Sequence, residues 1–473
     1  MQIKGEVYFI GIKGTGMCAL AELMHGMGIS VSGSDVDEVF YTDGILKQLK
    51  IPYHEVFDAS HIGSPSMIVY SDAYSFETNA EMAEARRRGI PLFKFADAVG
   101  EYSKGFDSSG IAGVHGKTTT TAIAGTLLKG AEIPAQVLAG SAVSAFGDRS
   151  TLNLGDRYFI AETCEYRRNF LSFHPKRIVL TGVETDHTDF FPTYEDIRDA
   201  FMDYCKLLPE HGELIYCHDD EGARDVALAL KKERPDITLT PYGFEAPGDF
   251  RIDSYKVSDE RIIMRIGLFP FDFSIRVPGK HTALNAAGAI ALVSSLIKKE
   301  GGWDDKKAEG VKNALSDFKG SKRRSEILGE AGGILFMDDY AHHPTEIMTT
   351  LSGLRDFYPS RRLIVSFMSH TFSRTVSLFD EFASSFTKAD IVILHSVYGS
   401  ARELKNDTVN GLSLGKALYE KVRERGGEVF FVEEPDDSFN LLEGMLRPGD
   451  LFITMGAGSN WTLGKKLFNH YSS

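Results

Sequence analysis

Short apolar runs of strand length recur along the chain, separated by longer stretches with apolar residues at helical spacing. Val7–Ile10, Ile29–Ser32, Met67–Tyr70 and Ile90–Phe93 form the first series, with a helix-like run ending at Met27 between the first two. Strands that alternate with helices predict βαβ units, and therefore a parallel sheet with helices on its faces. A second series comprises Tyr158–Ile160, Arg177–Leu180 and Glu213–Tyr216. A third comprises Ile334–Met337, Leu363–Phe367, Ile391–Leu394, Val429–Val432 and Leu451–Thr454, again with helical stretches between, which predicts a second doubly wound α/β domain. From Phe250 to Val277 the pattern changes: the alternation in Arg261-Ile262-Ile263-Met264-Arg265-Ile266 predicts half-buried antiparallel strands, followed by a helix over Thr282–Lys298. The polar, Gly- and Ser-containing stretch Tyr102–Gly110 reads as a linker, and the third series starts after Lys322-Arg323-Arg324. The fold class is therefore α/β, with expected segments 1–107, 108–324 and 325–473.

Composition narrows the function. A chain of 473 residues predicts about three domains, and 43% hydrophobic residues suffice for sizeable cores. The net charge of -14 argues against a nucleic-acid partner, which would want a basic face. The run Arg86-Arg87-Arg88 reads as a solvated helix face. Four scattered cysteines, without a CxxC pair, suit a reducing compartment and disfavour a disulfide framework or structural zinc. No apolar run approaches the roughly 18–20 residues that span a bilayer, and Met1-Gln2-Ile3-Lys4-Gly5-Glu6 leads directly into a strand. The expectation is a cytoplasmic protein with no membrane partner, monomeric or homodimeric.

The richest chemistry lies in Gly113-Val114-His115-Gly116-Lys117-Thr118-Thr119, between a strand-like start (Ile111, Ala112) and a helix-like segment from Ala122 to Lys129. Glycines let the backbone close around an anion, and successive N–H groups with a helix N-terminus present positive dipole to phosphate. Lys117 adds a point charge and Thr118 a hydroxyl suited to Mg2+, which makes ATP the default ligand. Ile111 stands where the full GxxxxGK[ST] pattern has its first glycine. Glu162 and Asp186-His187 follow strands of the same series, so both fall at the sheet edge that carries the phosphate loop, as a metal shell requires.

Other clusters are less specific. Gly11-x-x-Gly14-x-Gly16 follows the first strand with GxxGxG rather than GxGxxG spacing, and Asp35 falls where that fingerprint places its ribose acid. It suits a nucleotide diphosphate at a helix start, or a tight turn. Asp338-Asp339-Tyr340-Ala341-His342-His343-Pro344-Thr345-Glu346 reads as a helix start with Pro344 in the first turn, and as a concentration of acids and imidazoles. His370-Thr371-Phe372-Ser373-Arg374-Thr375 places a cation after a strand, where it could clamp a carboxylate or acyl phosphate.

Taken in order, these motifs resemble the Mur ligases of peptidoglycan synthesis, and the resemblance covers essentially the whole chain. It rests on Gly11–Met17 with Ser34-Asp35, Gly113–Thr119, Glu162–Arg168, Asp186-His187, His281 with Asn285, Lys322-Arg323-Arg324, Asp338–Glu346, His370 with Arg374-Thr375, Tyr398–Glu403 and Gly456-Ala457-Gly458. The resemblance implies three domains: an N-terminal Rossmann-like domain for a UDP-sugar, a central P-loop ATPase with a mixed sheet, and a C-terminal Rossmann-like domain that brings an amino acid. It implies that ATP and Mg2+ drive amide formation between UDP-N-acetylmuramate and L-alanine through an acyl phosphate. By position, Gly11, Gly14, Thr15, Gly16, Ser34, Asp35 and Ser71 would hold the UDP-sugar. Gly113, His115, Gly116, Lys117, Thr118, Thr119, His281, Asn285, Arg324 and Asp339 would hold ATP. Thr118, Glu162 and His187 would hold metal, and His343, His370 and Arg374 would face the amino acid. Lys117, Glu162, His187, His343 and Arg374 are the residues expected to serve the chemistry.

The chain departs from the family pattern at Gly182, Thr282, Ser325, Met368-Ser369 and Ser459-Asn460. Thr282 retains a hydroxyl but loses the paired donor and acceptor of an amide, which predicts weaker or different ATP binding. Three alternatives follow: a ligase that recycles murein tripeptide onto the same UDP-sugar, a polyglutamate-type ligase, and a paralogue that binds nucleotide without efficient turnover. The N-terminal glycine cluster disfavours the second.

Overall fold

The computed structural model describes residues 5–187, 190–399 and 410–472. Ser400, Ala401, Arg402 and Glu403 of the Tyr398–Glu403 motif lie outside the described residues, as do Met1–Lys4. The chain is α/β with three sheets, and it divides into two compact units. The first comprises 1–184, 194–252 and 285–315, and the second comprises 185–193, 253–284 and 316–473.

The first unit begins with a parallel sheet in the order Tyr53–His54, Ser30–Ser34, Glu6–Ile10, Met67–Tyr70, Leu92–Lys94. Tyr8, Ile10 and Ile68 of this sheet pack with Ile62, Met82 and Ala85. Its larger sheet runs Thr238–Gly243, Glu213–Cys217, Arg177–Leu180, Asp107–Ala112, Tyr158–Glu162, Ala135–Val143, Arg149–Asn153. Only the last of these pairings is antiparallel, so the sheet is mixed.

The stretch read as a linker is mostly helix and strand, with only a turn at 104–106 between them. Helix Phe95–Ser103 and strand Asp107–Ala112 occupy it, and Ser108, Ser109 and Gly110 are buried. The strand lies between Arg177–Leu180 and Tyr158–Glu162, where neighbours crowd it. A Cβ on Gly110 would come within 2.1 Å of the Tyr204 hydroxyl, so small residues there reflect packing rather than flexibility.

In the second unit, Arg261–Ile266 pairs antiparallel with Asp272–Ile275, and Ile262, Met264 and Ile266 are buried, as the alternation predicts. The C-terminal sheet runs Glu326–Ala331, Ile334–Asp339, Asp450–Met455, Arg362–Phe367, Ile391–Leu394, Glu428–Phe431. All its pairings after the first are parallel. Ile334, Phe336, Ile364, Ile393, Phe452, Leu463 and Leu467 form its core.

Candidate active site

Strand Asp107–Ala112 delivers the chain to the Gly113–Thr119 loop, and the helix begins at Lys117 rather than near Ala122. Just past its first turn, Thr121 Oγ1 donates to the Lys117 carbonyl at 2.9 Å, four residues back. Gly116 sits at the helix start with φ +83°, and a Cβ there would lie 2.5 Å from Asn285 Oδ1. Both facts require glycine. No side chain caps this helix, so its leading N–H groups are available to an anion.

The neighbouring strand end fixes the loop backbone. Val114 N donates to the Gly182 carbonyl at 3.0 Å, and Thr181 Oγ1 donates to the carbonyls of Ala112 at 3.1 Å and His115 at 2.5 Å. His115 Nε2 meets Glu184 at 2.5 Å. Thr118 Oγ1 donates to Glu162 Oε2 at 2.8 Å, and the Gly140 amide donates to the same oxygen at 2.9 Å. Lys117 Nζ donates to the carbonyls of Gly113 at 2.5 Å and Val114 at 3.2 Å, and to Glu165 Oε1 at 3.1 Å. Burial alone would lower the Lys117 pKa, but Glu165 and the other nearby anions outweigh it and raise the value above that of an ordinary lysine. Lys117, Thr118, Glu162 and Asn285 thus converge within the first unit. Glu165 and Thr181 complete this arrangement without having been assigned from sequence. Only the position of Glu165, one residue beyond Cys164 in the Glu162 motif, hinted at it.

At the other glycine loop, Gly14 and Thr15 are exposed at the start of helix Thr15–Gly26, which also lacks a side-chain cap. Gly11 has φ +88° and lies against Ser71 and Tyr74, and its amide donates to the Ser34 carbonyl at 2.8 Å. The polar side chains around this loop are engaged internally. Asp35 accepts from Lys13 N at 2.6 Å, Val36 N at 2.9 Å and the Tyr74 hydroxyl at 2.9 Å. Ser34 Oγ donates to buried Glu81. Lys13 Nζ meets the carbonyls of Val36 and Glu38, together with Asp43 and Glu55. Ser71 Oγ accepts from Ala73 N at 3.3 Å.

The remaining candidates belong to the second unit. His187 has φ +50°, and its amide donates to Asp186 Oδ1 at 2.7 Å. Arg374 Nη2 donates to the same oxygen at 3.0 Å. Burial would raise the Asp186 pKa, but Arg374 and the neighbouring His187 reverse this and hold it well below the usual carboxylate range. Asp339 accepts from Ser325 N at 2.6 Å, Ser325 Oγ at 3.1 Å and Ala341 N at 2.7 Å. Burial still pushes its pKa up to about 6. Arg323 and Arg324 both lie over the Tyr340 ring, and Arg324 approaches Glu346 at 3.6 Å. His343 caps helix Pro344–Phe357, with Pro344 in the first turn and Glu346 close behind, so the predicted helix start is present. His370 stacks on Tyr398, and His281 lies against Gly279.

The departures have local structural roles. The Thr282 hydroxyl is buried and donates to the Pro278 carbonyl at 2.7 Å, four residues back in the chain. Gly182 leaves room for Asp220, whose carboxylate would lie 3.0 Å from a Cβ. Asn460 Nδ2 donates to the carbonyls of Ser366 and Met455.

Three family models match in order: "Mur ligase family, catalytic domain" over 6–107, "Mur ligase middle domain" over 111–293 and "Mur ligase, glutamate ligase domain" over 323–458. A UDP-N-acetylmuramate–L-alanine ligase of Treponema pallidum (strain Nichols) is 48% identical over 468 residues, covering 98% of this chain and 96% of its own. The chain belongs to the Mur ligase family. A UDP-N-acetylmuramate–L-alanine ligase of Borrelia garinii is 38% identical to this Mur ligase, covering 97% of each chain. In fold, this Mur ligase is similar to the UDP-N-acetylmuramate–alanine ligase of Thermotoga maritima, with a TM-score of 0.76, 23% identity and 99% of each chain covered. It is also similar to a murein peptide ligase of Psychrobacter arcticus, with a TM-score of 0.65, 22% identity and 99% of each chain covered. Among the described residues no helix is long and apolar enough to cross a membrane.

Proposed function

We propose that this Mur ligase joins L-alanine to UDP-N-acetylmuramate in the cytoplasm, consuming ATP and releasing ADP and phosphate, as a step of peptidoglycan precursor synthesis. The identity to L-alanine ligases over nearly the whole chain supports the substrate pair. The observation that carries the chemistry is the convergence of Lys117, Thr118 and Glu162 at an uncapped helix N-terminus. A hydroxyl and a carboxylate oxygen 2.8 Å apart suit a hard cation, so Thr118 and Glu162 fit Mg2+. Bound there, Mg2+ would supply neutralising charge on the phosphates. His187 is proposed as a further ligand on the resemblance alone.

Lys117 and the loop amides oppose the charge of the triphosphate, which otherwise repels an incoming carboxylate. The muramate carboxylate oxygen attacks the γ-phosphorus and ADP leaves. The unprotonated amine of L-alanine then attacks the acyl carbon, and phosphate departs with the displaced proton. His115, Gly116, Thr119, His281, Asn285, Arg324 and Asp339 are proposed to hold the nucleotide. Gly11, Gly14, Thr15, Gly16, Ser34, Asp35 and Ser71 are proposed for the UDP-sugar, and His343, His370 and Arg374 for the amino acid. The internal engagement of Ser34, Asp35 and Asp339 favours a framing role for those three over direct contact. The segments 1–107, 108–324 and 325–473 are proposed as the UDP-sugar, ATP and amino-acid domains.

The test is phosphate release with ATP and UDP-N-acetylmuramate across single amino acids and the murein tripeptide. Release with L-alanine above all others is expected. Preference for the tripeptide would move the reading to a recycling ligase, and nucleotide binding without release would move it to a non-catalytic paralogue.

A further inference from the structure

On the nucleotide reading Lys117 presents its ammonium to the outer phosphates, yet within the protein that group already meets an anion. Glu165 Oε2 lies 3.0 Å from Lys117 Nζ and Oε1 lies 3.1 Å away. The Glu165 side chain is only 2% exposed and that of Lys117 13% exposed, so the pair is sheltered from water, where such contacts are strong. The other nearby carboxylate is occupied elsewhere, since Glu162 Oε2 receives Thr118 Oγ1 and the Gly140 amide. Two carboxylates three residues apart thus divide the work: one faces the threonine hydroxyl and the other holds the lysine.

A buried negative charge beside a triphosphate site opposes the ligand. A residue serving loop stability alone could hold Lys117 with a neutral acceptor, as the carbonyls of Gly113 and Val114 already do. We infer that Glu165 is a stand-in for phosphate: it holds the Lys117 ammonium and with it the loop, and yields the ammonium when nucleotide enters. Glu165 is therefore a positioning residue that restrains nucleotide affinity, an inference that rests on the nucleotide reading of this loop.

The experiment measures binding of ADP without Mg2+ to the full-length protein by calorimetry, alongside thermal melting with and without ADP. Glu165→Gln keeps the shape and removes the charge. It is expected to bind ADP about tenfold more tightly, the effect of one charge-assisted contact no longer broken on binding. Its ligand-free form should melt lower than wild type, and ADP should raise its melting temperature more than it raises that of wild type. Glu165→Asp, with the carboxylate withdrawn by one methylene, should bind ADP about threefold more tightly. It decides the matter if the Gln variant does not fold. Unchanged or weaker ADP binding in the folded variants, or an equal loss of melting temperature with and without ADP, overturns the inference. Failure of wild type itself to bind ADP would instead overturn the nucleotide reading.

Discussion

Both glycine loops in the first unit join a parallel strand to an uncapped helix, yet they treat their polar side chains in opposite ways. Around Gly11–Gly16, Asp35, Ser34 and Lys13 turn inward and satisfy one another or the backbone, leaving exposed Gly14 and Thr15 to offer little beyond main chain. Around Gly113–Thr119, ammonium, hydroxyl and carboxylate gather at the loop in contacts that a ligand can replace. The first arrangement suits holding a diphosphate that does not react, and the second suits moving a phosphoryl group. On the proposed reading both Gly-rich turns bind an anion, and the fate of the neighbouring side chains separates binding from chemistry.

Substitutions in the two loops should then fail differently. Lys117→Ala is expected to lower ADP formation at least ~1000-fold in a coupled assay, since it removes the charge that opposes the triphosphate. Turnover near wild type would erase the distinction. Glu162→Gln should cost about 100-fold in kcat and raise the Mg2+ concentration needed for half-maximal rate, read by metal titration. In the first loop, Asp35→Ala should mainly cost stability, about 2–4 kcal/mol by urea unfolding, because it strands two backbone amides and the Tyr74 hydroxyl. Its kcat at saturating substrates should stay within about threefold of wild type.

The smallest effects concern pH. Burial, with Arg374 adding to it against the pull of Glu346, holds His342 down to about 4. Its neutral form is thus favoured by folding, and the stability it contributes is lost as pH falls from about 6.5 toward 4. Asp339 has the opposite sign. With its pKa pushed up to about 6, it binds its proton sooner when folded, so its contribution to stability grows as pH falls from about 6 toward 4. Asp339→Asn should remove that component from the pH dependence of the unfolding midpoint. NMR of His342 should show a neutral ring at pH 5.

Much of this was legible in the residues. Continuous apolar runs such as Ile391–Leu394 and Met67–Tyr70 are strands with the expected ends, because burial on both faces leaves little room for polar residues. Strand Asp107–Ala112 reads as a linker because its small residues answer to partners distant in sequence, Tyr204 against Gly110 and Arg177 against Ser109. The phosphate loop was readable because its chemistry is local. Glu165 and Thr181 were not, since their meaning comes from which strand end the fold places beside the loop. Asp35 and Asp339 look like ligand-binding acids in one dimension; in three, each also accepts from two backbone amides, a structural duty that only the fold reveals.

The central claim is that the Gly113–Thr119 loop delivers a phosphoryl group to a carboxylate. Turnover of UDP-N-acetylmuramate carrying ¹⁸O in its muramate carboxylate, with ATP and L-alanine, tests it by mass spectrometry of the phosphate released. The account predicts one ¹⁸O atom transferred into each phosphate. Phosphate free of label, formed at the rate of amide synthesis, would contradict it.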